Sequence, residues 1–308
     1  MWTPAHREKY KYDDRRYPSD LTDAEWEAIK VIFSGYTSLT VDLREMVNAC
    51  FYLERTGCPW PYLPKDFGPW ETVRWWYDRF RTDGIWAEVS SHLTRAVRKA
   101  QGHASEPSTG IMDSQSVVSA PQKGDRGFDG NKKIKGLKRH ILTGSLGFIL
   151  AVVVTAANVH DTKVADALLK RATENGWSLE RVKVDGIYLG PTVDAAAERH
   201  GVDFQVATRD GDTKPQGFKP LPLRWRVEAT FGTLSNRYRR LARNWEESPK
   251  NSEDAVEVAN CHRLIRNYGR DILGQTQSKG LLVAPARLFS SMPCMDCIYM
   301  PFTSCAMT

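Results

Sequence analysis

Three acidic residues in apolar surroundings are the strongest candidates for chemistry in this chain. They are Asp113 in GIMDSQSV, Asp185 in VKVDGIYLG and Glu228 in RWRVEATFGTL. An apolar run leads into each aspartate, whereas Glu228 lies in an amphipathic helical pattern between Val227 and Phe231. A carboxylate at a strand end is costly to bury unless it meets a cation or hydrogen-bond donors. Gly186, directly after Asp185, permits a sharp turn. The order D, D, E, with spacings of 72 and 43 residues, gives a hard-oxygen donor set suited to Mg²⁺. Two such ions about 3.5–4 Å apart activate a water or a 3′-hydroxyl and steady the leaving oxygen of a phosphodiester. Taken singly, each acid also fits an ordinary cap or surface carboxylate.

Two basic segments bracket these acids. KGDRGFDGNKKIKGLKRH carries Lys123, Arg126, Lys132, Lys133, Lys135, Lys138 and Arg139 against two aspartates, and its glycines predict a flexible loop. From 224 to 243, Arg224, Arg226, Arg237, Arg239, Arg240 and Arg243 accompany Glu228 as the one acid. A polyanion lying across both segments passes over the carboxylates, and its binding falls steeply with salt. Either segment alone also fits a solvated charged face. A third cluster sets Arg74, Arg79 and Arg81 beside Trp75, Trp76 and Tyr77. It fits the exposed helix of a helix-turn-helix reader. Most of these aromatics are read as core, but the adjacent Trp75 and Trp76 point to different sectors. His140 and His160 are weaker site candidates, and Asp161 is read as a helix cap. No GxGxxG, P-loop or GxSxG is present, so nucleotide-cofactor binding and serine hydrolysis have no basis here.

The elements that must position these residues fall into two parts. LTDAEWEAIKVIF opens with a capping box, Thr22 to Glu25. VDLREMVNACFYLERT carries a broad apolar stripe and stops at Gly57. Two further helices cover ETVRWWYDRFRTDG and WAEVSSHLTRAVRKA. Residues 21–101 thus form an all-helical module behind a polar arm, 1–20, with GHASEPSTG as the linker. Beyond it come short β-branched strands, then alternating helices and strands, which predict a mixed-sheet α/β domain over 109–270. Long helices are predicted over 225–243 and 252–268, and residues 271–308 form an atypical tail.

The chain has 308 residues, 41% hydrophobic and 26% charged, with a net charge of +6. It is an ordinary globular composition, mildly basic. No membrane span or signal peptide is read from it. Its six cysteines are scattered and read as reduced thiols; the Cys294–Cys297 spacing lacks a second ligand pair for zinc.

At these residues the chain resembles the DDE insertion-sequence transposases of the IS-five group, within the IS-four-like superfamily. YPSDLTDAEWEAI and the helical segments after it are similar to their opening DNA-binding module. DSQSV with GFDGNKKIKGLKRHILTGSLGFILAVVVTAANVHD, then VDGIYLG, then RWRVEATFGTLSNRYRRLARNWE resemble the three catalytic blocks. The resemblance covers roughly residues 15–270. It implies an RNase H-like core preceded by a helix-turn-helix-like module, with Asp113, Asp185 and Glu228 as metal-binding catalytic triad. It also implies Tyr188, Arg224, Arg237 and Arg240 near the DNA. The implied cofactor is Mg²⁺, with Mn²⁺ as substitute. The implied partners are double-stranded DNA, as terminal inverted repeats and as target, and a second copy in a homodimeric synaptic complex at the bacterial nucleoid. Ala229 and Ile187 depart from the pattern, where many relatives carry arginine and a small residue. Two rival readings share the core: a decayed copy that binds its repeats as a repressor, and a structure-selective nuclease.

Overall fold

A computed structural model of the chain describes Thr3 and residues 15–38, 40–121, 124–206 and 224–273, with Arg224 by its backbone alone. Helix α1 (Asp23–Ile29) begins at the expected box. The Thr22 hydroxyl accepts from Glu25 N at 3.2 Å, and the Glu25 carboxylate accepts from Thr22 N at 2.8 Å. Helix α2 (Leu43–Thr56) is capped by Asp42 and ends at Gly57, φ 66°. A Cβ on Gly57 would stand 2.9 Å from Arg240 N, so both the left-handed turn and the close approach require glycine. Helices α3 (Trp70–Thr82) and α4 (Ile85–Ala100) complete the module. Residues 15–20 of the expected arm pack onto it: Tyr17 lies against Tyr52 and Phe67, and Ser19 and Asp20 are buried.

The sheet follows. Its strands are β1 (Thr109–Val118), β2 (Gly127–Asp129), β3 (Ile134–Gly144), β4 (Ile149–Ala156), β5 (Arg181–Val184) and β6 (Asp203–Val206). One edge of β3 pairs antiparallel with β1, and the other pairs with β2 and β4. From β1 the sheet continues parallel through β5 to β6. Parallel neighbours need crossovers, and α5 (Ala165–Glu174) and α6 (Pro191–His200) supply them on one face. Helices α7 (Arg224–Arg237) and α8 (Pro249–Tyr268) cover the other. Three antiparallel strands continued by parallel ones make the RNase H-like core that the resemblance implies.

Two expectations are corrected. Residues 127–136 are a β-hairpin rather than a flexible loop. The buried Asp129 carboxylate accepts from Asn131 N and Lys132 N, both at 3.0 Å, and from the Ser116 hydroxyl. Local polar bonds thus order a segment whose composition suggested disorder. The helix of Glu228 stops at Arg237 instead of reaching Arg243. Tyr238 leaves the helix at φ −114°, ψ 97°, and its hydroxyl meets His262 Nδ1 at 3.1 Å. Burying Tyr238 and Leu241 outweighs helical continuity. Residues 207–223 and 274–308 lie outside the described residues, so Cys294, Cys297 and Cys305 do too; Cys50, Cys58 and Cys261 are free thiols. Among the described residues no helix is long and apolar enough to cross a membrane.

The linker at 102–108 separates two sequence patterns, but packing crosses it. Helix α8 gives Val258, Cys261, Leu264 and Ile265 to the core of the N-terminal helices. It gives Ala255, Val256 and Ala259 to the core beneath the sheet. Arg266 closes this junction: Nη1 donates to the Glu25 carboxylate at 2.9 and 2.7 Å, and Nη2 to the carbonyls of Pro18 and Asp20 at 3.0 and 2.7 Å. Glu25 is only 3% exposed. Removing its partner strands a buried charge, which costs about 3–5 kcal/mol. Arg266→Met is expected to lower the urea midpoint accordingly, and adding Glu25→Gln to recover part of the loss.

Candidate active site

Parallel pairing of β1 with β5 sets the geometry. Gly110 stands opposite Val182 and Ile111 opposite Lys183. Continued two residues past the last recorded pair, that register would set Asp113, in β1, level with Asp185, the residue directly after β5, roughly 4.8 Å apart in backbone spacing. Alternation sends both to the side of Ile111. Met112, Val182 and Val184 point the other way, into the core under α5 and α6. Both aspartates are half-buried. Asp113 Oδ1 accepts from Ser114 N at 2.7 Å, and Asp185 Oδ1 from Ile187 N at 3.0 Å.

Helix α7 crosses the same face. Val227, Phe231 and Leu234 bury against Ile111 and Ile141. Thr230 Oγ1 donates to Gly147 O at 2.7 Å, near the start of β1, and Ser235 Oγ donates to Gln115 Oε1 at 3.3 Å. The helix therefore runs in the direction of β1. Glu228 lies two turns before Ser235, roughly 10.5 Å at the helical rise. The strand covers that distance in about three residues. Glu228 therefore lies toward the start of β1 from the Ser235–Gln115 contact, on the face of Asp113, and it is exposed.

The three candidate carboxylates are hard oxygen donors. Among the described residues no three His, Cys, Asp or Glu side chains form a ready-made metal cage. Mg²⁺ does not need one: it keeps several waters and takes one or two carboxylates together with substrate phosphates. Asp113 and Asp185, if the register continues to them, are carboxylates of the kind such an ion takes.

Over residues 104–263, more than half of its length, the chain matches the family model of the transposase DDE domain. The chain belongs to the DDE transposases. A second family model, an IS4/5 family transposase, matches residues 21–90. No curated protein matches the chain.

The basic residues of this transposase divide into exposed and buried sets. Lys132, Lys133 and Lys135 are exposed on the β2–β3 hairpin, and Lys132 Nζ reaches Ser114 O, beside Asp113, at 3.3 Å. Arg237 is exposed, and the Arg224 side chain lies outside the described residues. Arg74 and Arg79 are exposed and ion-paired with Asp78 and Asp83, each at 3.0 Å. Trp75 is 53% exposed while Trp76 is core.

Lys138, Arg139, Arg240 and Tyr188 do not present themselves to DNA, which corrects their reading as contacts. Lys138 is buried, donating to Asp161 and to Val159 O at 3.0 Å. Arg139 is 1% exposed and donates to Leu241 O at 2.8 Å. Tyr188 belongs to the core under α5 and α6. Arg240 lies between Glu246, at 2.5 Å, and Glu54, at 3.5 Å. Nor does Asp161 cap a helix. It accepts from Ser114 Oγ at 2.9 Å, forming with Lys138 a buried polar cluster behind the strand of Asp113, while His160 takes the cap. His140 joins this cluster, and burial pushes it down to about 4. The polar alternation Ser114, Ser116 in a central strand was the sequence signal for the cluster.

Burial also pushes the Glu54 carboxyl up to about 8, against a smaller pull from Arg240. The folded chain then holds a proton that the unfolded chain releases near 4.5. Stability from this group is fully present below about 4.5 and is lost as pH rises toward 8. Glu54→Gln removes the titration, so its stability relative to wild type is expected to rise between pH 5 and 8 in urea unfolding. A pH-independent difference would contradict a neutral Glu54.

Proposed function

We propose that this transposase binds the terminal inverted repeats of its mobile element, hydrolyses phosphodiesters there and joins the freed 3′-hydroxyls to target DNA. What supports the reading is the match to the transposase DDE domain over residues 104–263, together with the β1–β5 register, whose continuation beyond Ile111 and Lys183 would bring Asp113 and Asp185 to one sheet face, with Glu228 on the helix that covers it. These three carboxylates would hold Mg²⁺, or Mn²⁺ in its place. When bound, such ions supply Lewis-acid activation of the nucleophile and charge stabilisation at the leaving oxygen.

The chain's own residues do the rest. The strand pair fixes two acids relative to each other, and α7 carries the third across the same face. Lys132, Lys133 and Lys135 with Arg237, Arg239 and Arg243 neutralise phosphates on either side. Arg74, Arg79 and Trp75 on α3 are the reader of the repeats. Each arginine must then exchange an exposed aspartate for phosphate, and such exposed pairs contribute little on their own. Synapsis of two ends calls for a homodimer, working on the DNA of a bacterial nucleoid.

The deciding experiment is cleavage of a labelled duplex carrying the element's own ends, with Mg²⁺ or Mn²⁺. Asp113→Ala, Asp185→Ala and Glu228→Gln are each expected to abolish nicking and to leave DNA binding within a few fold of wild type. Near wild-type nicking by one variant removes that residue from the triad. Tight binding without nicking by the wild type favours the repressor reading.

The hairpin is tested separately. Replacing Lys132, Lys133 and Lys135 with alanine is expected to flatten the slope of log K against log salt by up to about 2.7 for three phosphates. An unchanged slope takes the hairpin off the DNA.

A further inference from the structure

A cavity of about 290 Å³ opens where β1, β5 and β6 begin, lined by Arg98, Arg181, Lys183, Ser145 and Gln205 among others. No acid is among its lining residues. Register explains its relation to the active site. Lys183 stands opposite Ile111 on one side and Gln205 on the other, and Arg181 opposite Thr109 and Asp203. Side chains of Arg181, Lys183 and Asp185 alternate onto the same face of β5. Each step along that row is roughly 6.6 Å. The cations therefore continue the line of the acidic pair toward the start of the strands.

The charges are poorly compensated from within. Arg98 comes from α4 and is 6% exposed. Its guanidinium donates to neutral groups: Ala104 O at 2.8 Å, Glu106 O at 3.4 Å and the Ser145 hydroxyl at 3.5 Å. Burial without an acid in hydrogen bond pulls its pKa down from the ordinary value. Among the described residues Arg181 has one ion pair, to exposed Glu180 at 3.6 Å, of a kind worth little. Lys183 has no ion pair among the described residues. The Gln205 amide already donates to the Asp203 carboxylate at 2.7 Å, but a half-open cavity with three cations and no carboxylate among its lining residues suits a phosphodiester: it offers charge from Arg181 and Lys183 beside the buried Arg98.

We infer that this cavity is a second phosphate-binding subsite, which grips the backbone of the DNA strand one or two nucleotides from the phosphodiester held at Asp113 and Asp185. The inference rests on the proposed function and adds to it a residue set outside both basic segments. It also makes α4 of the N-terminal module part of the catalytic face, through Arg98.

The test uses the full chain and the element-end duplex without divalent metal, so that binding is read apart from cleavage. Arg181→Gln with Lys183→Gln is expected to reduce the slope of log K against log salt by up to about 1.8, the value for two phosphates. It is also expected to remove ethylation interference at the phosphates flanking the cut. A control with Lys30→Gln and Lys170→Gln, which are exposed and remote, is expected to leave both readouts unchanged. Wild-type slope and interference in the cavity variant would overturn the subsite while leaving the transposase reading intact. An equal loss in the control would reduce the effect to net charge and overturn it as well. Failure of the wild type to bind the element ends would overturn the function and the subsite together. An effect on inorganic pyrophosphate binding alone, with DNA unaltered, would make the cavity a site for free phosphates and refute the strand assignment.

Discussion

Helix α8 is buried along two sides, and the placement of everything else depends on it. One side completes the core of the four N-terminal helices; the other closes the core under α7 and the sheet. A helix in that position must satisfy polar groups that elsewhere would face water. Its own residues do so in pairs: Asn260 with Ser90 at 2.9 Å, Cys261 with Trp86 O at 3.1 Å, Glu253 with Val154 N at 3.0 Å, and Arg266 with Glu25. These bonds fix α4, β4 and α1 against one rod. The level at which α7 crosses β1, and with it the position of Glu228, follows from packing on that rod and on the sheet.

The second constraint is strand parity. Neighbouring parallel strands in register send matched residues to one side. For β1 and β5 this divides adjacent residues sharply: Ile111 and Asp113 face α7, whereas Met112 and Ser114 face the opposite side. A single-residue slip would exchange the acids for the apolar residues that hold the other core together. The hydrophobic cost of such a slip protects the geometry of the acids, although the acids contribute nothing to that cost.

Much of this was readable from the sequence. Thr22 and Glu25 marked a helix start, Gly57 a helix end, and apolar runs before Asp113 and Asp185 marked strands, because each signal is local. Tertiary competition was not readable. Arg240 and Lys138 carry the same charge as Arg237 and Lys135, yet two are buried among carboxylates and two face solvent. The partners that decide this, Glu54 and Asp161, lie far away in the chain. Likewise Tyr238 ends α7 early for His262, which no local pattern announces. The cavity at Arg98, Arg181 and Lys183 escaped notice because its cations are scattered over two elements and never form a run.

The clamp between Glu25 and Arg266 has a consequence for how the protein is made. The carboxylate of the first helix has its local cap bond to Thr22 N, but its charge partner is synthesised 241 positions later. Closing so long a loop is slow relative to local helix formation. On the ribosome the N-terminal helices emerge with an incomplete core and an acid still without its ion pair, and α8 finishes them from outside. The N-terminal helices of a nascent chain therefore mature only after the strands of the sheet exist, so that truncated translation products lack a finished N-terminal core as well as a finished sheet domain.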